Sequence, residues 1–134
     1  MQDYDLVLSN FSVIDESDTL RIERYQTVNP LSDLSLVKLV VKMPFRGCCL
    51  AVKHEIIKDA MPFPVGVFMH DNWIGLIAKL KGYNIIYVDE PLIKYRRHNE
   101  NVSDLNSPNS FLFKIYYRLV LLFKLYNHIY SRKS

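Results

Sequence analysis

The chain has 134 residues, 49% of them hydrophobic, which suffices for one compact core and falls short of two ordinary domains. Lysine and arginine exceed the acids by three, so the overall charge gives no reason to expect a nucleic-acid partner. The two cysteines, Cys48 and Cys49, are adjacent. Neighbours in an extended segment point to opposite faces, which argues against a disulfide framework or a four-ligand zinc site and for a reducing, cytoplasmic compartment. Met1 to Asp5 is acidic and lacks the basic-then-apolar pattern of a secretory leader.

In chain order, Asp5 to Asn10 is a short apolar run closed by Ser9 and Asn10, which reads as a buried strand. A turn at Asp15 to Asp18, a short strand and a loop to Pro30 follow. Leu34, Leu36, Val37 and Leu39 to Val41, preceded by the capping residues Ser32 and Asp33, predict a helix over 32–41 that Pro44 stops. Arg46 to Val52 reads as a small-residue strand. His54 to Met61 reads as a short helix with Ile56, Ile57 and Ala60 on one side, ended by Pro62 and Pro64.

The strongest helical spacing begins at Asp71: Trp73, Ile74, Ile77 and Ala78 recur over Asn72 to Lys81, and Gly82 stands where a C-terminal cap belongs. Asn84 to Val88 and Pro91 to Tyr95 read as two further strands. Arg96 to Ser103 has no apolar periodicity and reads as loop. Beyond Pro108, Phe111 to Tyr130 forms a long apolar and aromatic helix of roughly 30 Å. Strand, helix and strand with short connections argue for an α/β fold with a partly parallel sheet.

Two segments carry chemistry. Met69 to Trp73 (MHDNW) places Asp71 at the mouth of a helix after a proline-bearing loop, where α/β proteins build sites, although aspartate there also serves as an ordinary cap. Tyr95 to His98 (YRRH), with Asn99, Asn101 and Ser103 behind it, gathers donors suited to a diphosphate; a solvated basic turn has the same composition.

In order, RGCCLA (46–51), MHDNW (69–73) and GYNIIYVDEPLIKYRRHNENVS (82–103) resemble the C-terminal half of family 2 glycosyltransferases of the GT-A fold. The likeness is greatest to bacterial enzymes that transfer rhamnose or related sugars in cell-surface polysaccharide synthesis, and it runs from Asp5 to Ser103. It implies an α/β fold: the acceptor-side portion of a GT-A mixed sheet flanked by helices over 1–105, with a long apolar helix over 106–134. It also implies that Asp71 is the general base of an inverting transfer and that Gly47, Cys48, His70 and Trp73 shape the acceptor site. Arg96, Arg97 and His98 would close over the donor diphosphate.

The partners so implied are a nucleotide-sugar donor and a saccharide or lipid-linked acceptor. The family's nucleotide-binding unit and its Asp-x-Asp motif for Mg²⁺ or Mn²⁺ are expected upstream of Met1, on the same or a separate polypeptide. Asp3-Tyr4-Asp5 directly precedes a strand and is not taken as that motif, so no metal ligand is assigned within the chain, and the chain alone is expected to be inactive.

The C-terminal helix carries Lys114, Arg118 and Lys124 among its apolar residues. That pattern suits a peripheral contact with the inner face of a membrane, or packing on the sheet or on a further domain, better than a spanning helix. The rival to the enzyme reading is a non-catalytic remnant that keeps its core and an apolar helix as an interaction module.

Overall fold

The computed structural model describes residues 3–98 and 110–131. It has a mixed α/β architecture: a four-stranded sheet with helices packed against it. The central strand is β1 (Leu6–Ile14). Along one edge it pairs antiparallel with β3 (Leu50–Val52, Leu8 opposite Leu50) and with β2 (Leu20–Ile22, Val13 opposite Ile22). Along the other it pairs parallel with β4 (Ile85–Arg96), from Leu6 opposite Ile85 to Ile14 opposite Arg96.

β1 runs four residues past the predicted end at Asn10. Ser9, Asn10 and Ser12 are buried yet do not end the strand, because polar groups can enter a core when their hydrogen bonds are met there. Asn10 Nδ2 donates to the Gln26 carbonyl and to Asp89, and its Oδ1 accepts from the amides of Phe11 and Gln26. Ser12 Oγ donates to the Ile93 carbonyl.

The two strands expected over 84–88 and 91–95 are one. β4 absorbs Pro91 through two irregularities, in which Ser9 pairs Val88, Asn10 pairs Pro91 and Phe11 pairs Ile93. A bulge tolerates a residue without an N–H, which is why the proline does not divide the strand.

The helix expected over 32–41 is shorter, α1 (Leu36–Lys42). Asp33 Oδ1 accepts the Ser35 amide at 2.8 Å, a local turn that keeps 33–35 out of the helix. The strand expected over 46–52 also begins later: Gly47–Cys49 form a 3-10 turn that leads into β3. α2 (His54–Ala60) buries Ile56 and Ala60.

α3 (His70–Leu80) begins two residues earlier than expected, with Met69 rather than Asp71 at the N-cap position. Its end follows the sequence: Gly82 has φ +79°, its amide donates to the Lys79 carbonyl, and the Tyr83 amide donates to that of Ala78. This pair of bonds is the Schellman closure that a glycine permits. α4 (Phe111–Tyr130) has its predicted bounds, with Ser110 Oγ accepting the Phe113 amide. Tyr117, Leu121 and Leu125 join one core with Leu6, Leu8, Phe45, Trp73 and Ile77. The boundary expected at 105/106 lies outside the described residues.

Asp5 joins three segments of the chain. Its carboxylate accepts from Lys53 Nζ at 2.8 Å and from the Asn84 amide at 2.9 Å. The Lys53 hydrogen bond foremost, and then the Asn84 amide, hold its pKa below the usual 3.8. A depressed carboxylate contributes stability that is present above the unfolded pKa and is lost as pH falls through the folded one. The thermal midpoint is therefore expected to fall below about pH 4, and Asp5→Asn to make that fall shallower when melting is followed by circular dichroism across pH.

Gly75 fixes the approach of α3 to the chain before the 3-10 turn, since a Cβ there would lie 2.3 Å from the Phe45 ring. Gly75→Ala is expected to destabilise the fold by about 1–3 kcal/mol in urea unfolding. Phe45→Leu added to it should recover part of the loss if ring overlap is the cause.

Candidate active site

The site is built where the first turn of α3 meets residues 45–47. Asn72 is buried and its side chain reads the Phe45 backbone twice, with Oδ1 accepting the Phe45 amide at 3.2 Å and Nδ2 donating to the Phe45 carbonyl at 3.1 Å. One residue earlier, Asp71 Oδ2 accepts the Gly47 amide at 2.9 Å while Oδ1 accepts the Asn72 amide at 2.8 Å. Each carboxylate oxygen can accept about two hydrogen bonds. Asp71 is thus fixed in orientation, is partly exposed, and retains lone-pair capacity on Oδ2.

The structure therefore brings Gly47 and Asp71 into direct contact, with exposed Cys48 and His70 each one residue away. The His70 ring lies 4.7 Å from that of Phe63. Cys49 is buried, and its thiol is pushed up to about 12, mainly by burial and then by its contact with Cys48, so it stays neutral and is no nucleophile.

Trp73 departs from expectation. It is fully buried, its Nε1 donates to the Ala60 carbonyl at 2.9 Å, and its ring meets that of His128 edge-on. It cannot touch an acceptor; it seats α3 between α2 and α4. The resemblance named it for its place in MHDNW, whereas its helical spacing with Ile74, Ile77 and Ala78 was a core signal.

The basic segment is placed at the C-terminal end of β4. Arg96 closes the strand, and its guanidinium lies on the Asp15–Asp18 turn, donating to the carbonyls of Asp15 and Glu16 and pairing with Asp18 at 2.5 Å. The Arg97 amide donates to the Ile14 carbonyl. Arg97 and His98 are exposed. In this arrangement Arg96 braces a turn. Asn99, Asn101 and Ser103 lie outside the described residues.

A residue that the sequence did not single out stands between the two segments. Arg46, next to Gly47, holds its guanidinium 5.1 Å from the Tyr25 ring centre and 5.6 Å from that of Phe11. Phe11 stacks on Tyr25 and meets Tyr95 edge-on at 6.0 Å, and Tyr95 adjoins Arg96. An aromatic ledge with a cation on it thus runs from the Gly47 side of the sheet toward the end of β4. Arg46 also lines an open groove of about 280 Å³ with Gln26, Asn29 and Lys42. The signal available was the charge in RGCC, which the strand reading of 46–52 obscured.

Among the described residues no group of three His, Cys, Asp or Glu side chains converges as a metal site. The donors among those residues make no cage for Mg²⁺ or Mn²⁺. Comparison with protein-family models, with curated proteins and with solved structures gave no match.

Asn72→Ala is expected to leave the buried Phe45 amide and carbonyl without partners, at about 1–3 kcal/mol for each. Hydrogen exchange should then speed up at the Phe45 and Gly47 amides before it does so in β1.

Proposed function

We propose that the chain is the acceptor-side half of an inverting glycosyltransferase that moves a sugar from a nucleoside-diphosphate donor to a saccharide or lipid-linked acceptor. The observation that carries this reading is the Asp71 carboxylate, held by two backbone amides at the surface and oriented before any substrate arrives. An inverting transfer needs a base that takes the proton of the acceptor hydroxyl while its oxygen attacks the anomeric carbon. The C–O bond to the diphosphate breaks on the opposite face, and the leaving group carries its electrons away.

Asp71 Oδ2 is the atom that takes the proton. Proton transfer accompanies attack, so that no free alkoxide forms before the C–O bond does. Arg97 and His98 sit at the end of a parallel strand, where anionic ligands of α/β proteins collect, and Arg46 adds a cation between them and Asp71. Charge building on the departing diphosphate is what such donors stabilise. The nucleotide and any divalent metal belong to a partner half, for which this chain supplies base, acceptor surface and cationic ledge.

The second reading is a non-catalytic interaction module, and the commitment of Arg96 to the Asp15–Asp18 turn favours it. Titration with nucleoside-diphosphate sugars, with and without Mn²⁺, separates the two when done on the chain alone and on the chain joined to a nucleotide-binding half. In the joined protein, Asp71→Asn is expected to lower turnover by roughly a hundred- to ten-thousand-fold with donor affinity little changed. Unchanged turnover would remove Asp71 as the base.

A further inference from the structure

The rotation of α4 on the body is set by polar contacts. Tyr117 Oη accepts the Met69 amide, and His128 Nε2 bonds the Asp59 carbonyl at 2.7 Å. Arg118 donates to the carbonyls of Val40 and Val41 at the end of α1, where a helix leaves such groups without intrahelical partners. Together with buried Tyr117, Leu121 and Leu125 these contacts determine which face of α4 turns outward.

At 100° per residue the outward half is a continuous apolar and aromatic surface, with Leu112, Tyr116, Leu119 and Phe123 along its middle, each more than 60% exposed. Asn127 is its one polar residue, and the helix's cations lie on the flanks and the body side. Phe68, 75% exposed, extends the apolar surface from the segment before α3 beside Tyr117, and exposed Val37 and Val41 do so from α1. A patch of this kind on a folded surface marks a docking face.

Charge selects the occupant. The three segments that build the patch, 36–42, 61–69 and 111–130, contain Lys38, Lys42, Lys114, Arg118 and Lys124 and no Asp or Glu. A second copy would bring the same cations against these, where Asp33 beside Lys38 and Lys42 already answers that pair, whereas the headgroups of an acidic bilayer complement the whole set. Tyr116, Tyr126 and Tyr130 are of the type that settles at a headgroup boundary. Among the described residues no helix is long and apolar enough to cross a membrane.

We propose that α4 docks in the plane of an anionic lipid bilayer, its outer face inserted among the acyl chains, with Lys124 on its flank and the exposed Lys38 of α1 on the headgroups. Lipid docking stands apart from sugar transfer, since it uses none of the residues around Asp71 and is read by binding alone.

The test is flotation of the whole chain with phosphatidylcholine vesicles, with and without phosphatidylglycerol. Binding is expected to be at least roughly tenfold tighter on the anionic vesicles, and Lys38→Glu with Lys124→Glu to abolish that preference. Leu119→Ser with Phe123→Ser, at exposed positions, should weaken binding about tenfold or more with the melting temperature unchanged. Failure to float with either vesicle would overturn the proposal, as would equal binding to both. A concentration-dependent dimer that the same double serine variant abolishes would give the face to a second copy instead and overturn it too.

Discussion

The bidentate grip of Asn72 on the Phe45 backbone is the constraint on which the candidate site depends. A buried peptide group away from a sheet ladder must find both a donor and an acceptor, and one carboxamide supplies them here. With Phe45 fixed, and its ring pressed on the bare backbone of Gly75, the next two residues have little choice of path. Gly47 then presents its amide to Asp71. The orientation of the carboxylate follows from packing two residues away and requires no ligand.

The same economy governs the sheet. β1 is covered on both faces, yet it carries three polar residues, and each answers to a neighbouring segment. Asn10 alone ties the strand to the 24–26 loop and to Asp89, which itself pairs with Arg24. Polar atoms in the central strand therefore hold in place the loop that brings Tyr25 under Arg46. The aromatic ledge is a product of core satisfaction as much as of aromatic stacking.

What could be read from the sequence was whatever periodicity or punctuation announces. α4 has its predicted ends because twenty residues without a glycine or proline sit behind a serine cap, and Gly82 closes α3 because few other residues take its φ at no cost. Other features depend on contacts distant in sequence. Ser9 and Asn10 looked like a strand end because the partners of Asn10 lie at 26 and 89. Pro91 looked like a break because the bulge that accommodates it exists only once β1 lies alongside. Trp73 looked like a site residue for its closeness to Asp71 in sequence, although each helical step of about 100° turns successive side chains to different faces. Asp71 and Gly47 were set in one site by the resemblance of their motifs, but the hydrogen bond between them rests on the hold of Asn72 on Phe45, which no spacing announces.

The two charged parts of the candidate site differ in how firmly they are held. Asp71 is oriented by amides belonging to a packed core segment, so moving it would disturb Phe45 and α3. Arg96 is held by an ion pair with an Asp18 side chain that is 73% exposed and by two carbonyls of a surface turn. Exposed pairs of this kind contribute about 0–1 kcal/mol. Asp71 is thus placed by the core, and Arg96 by the surface turn on which it lies.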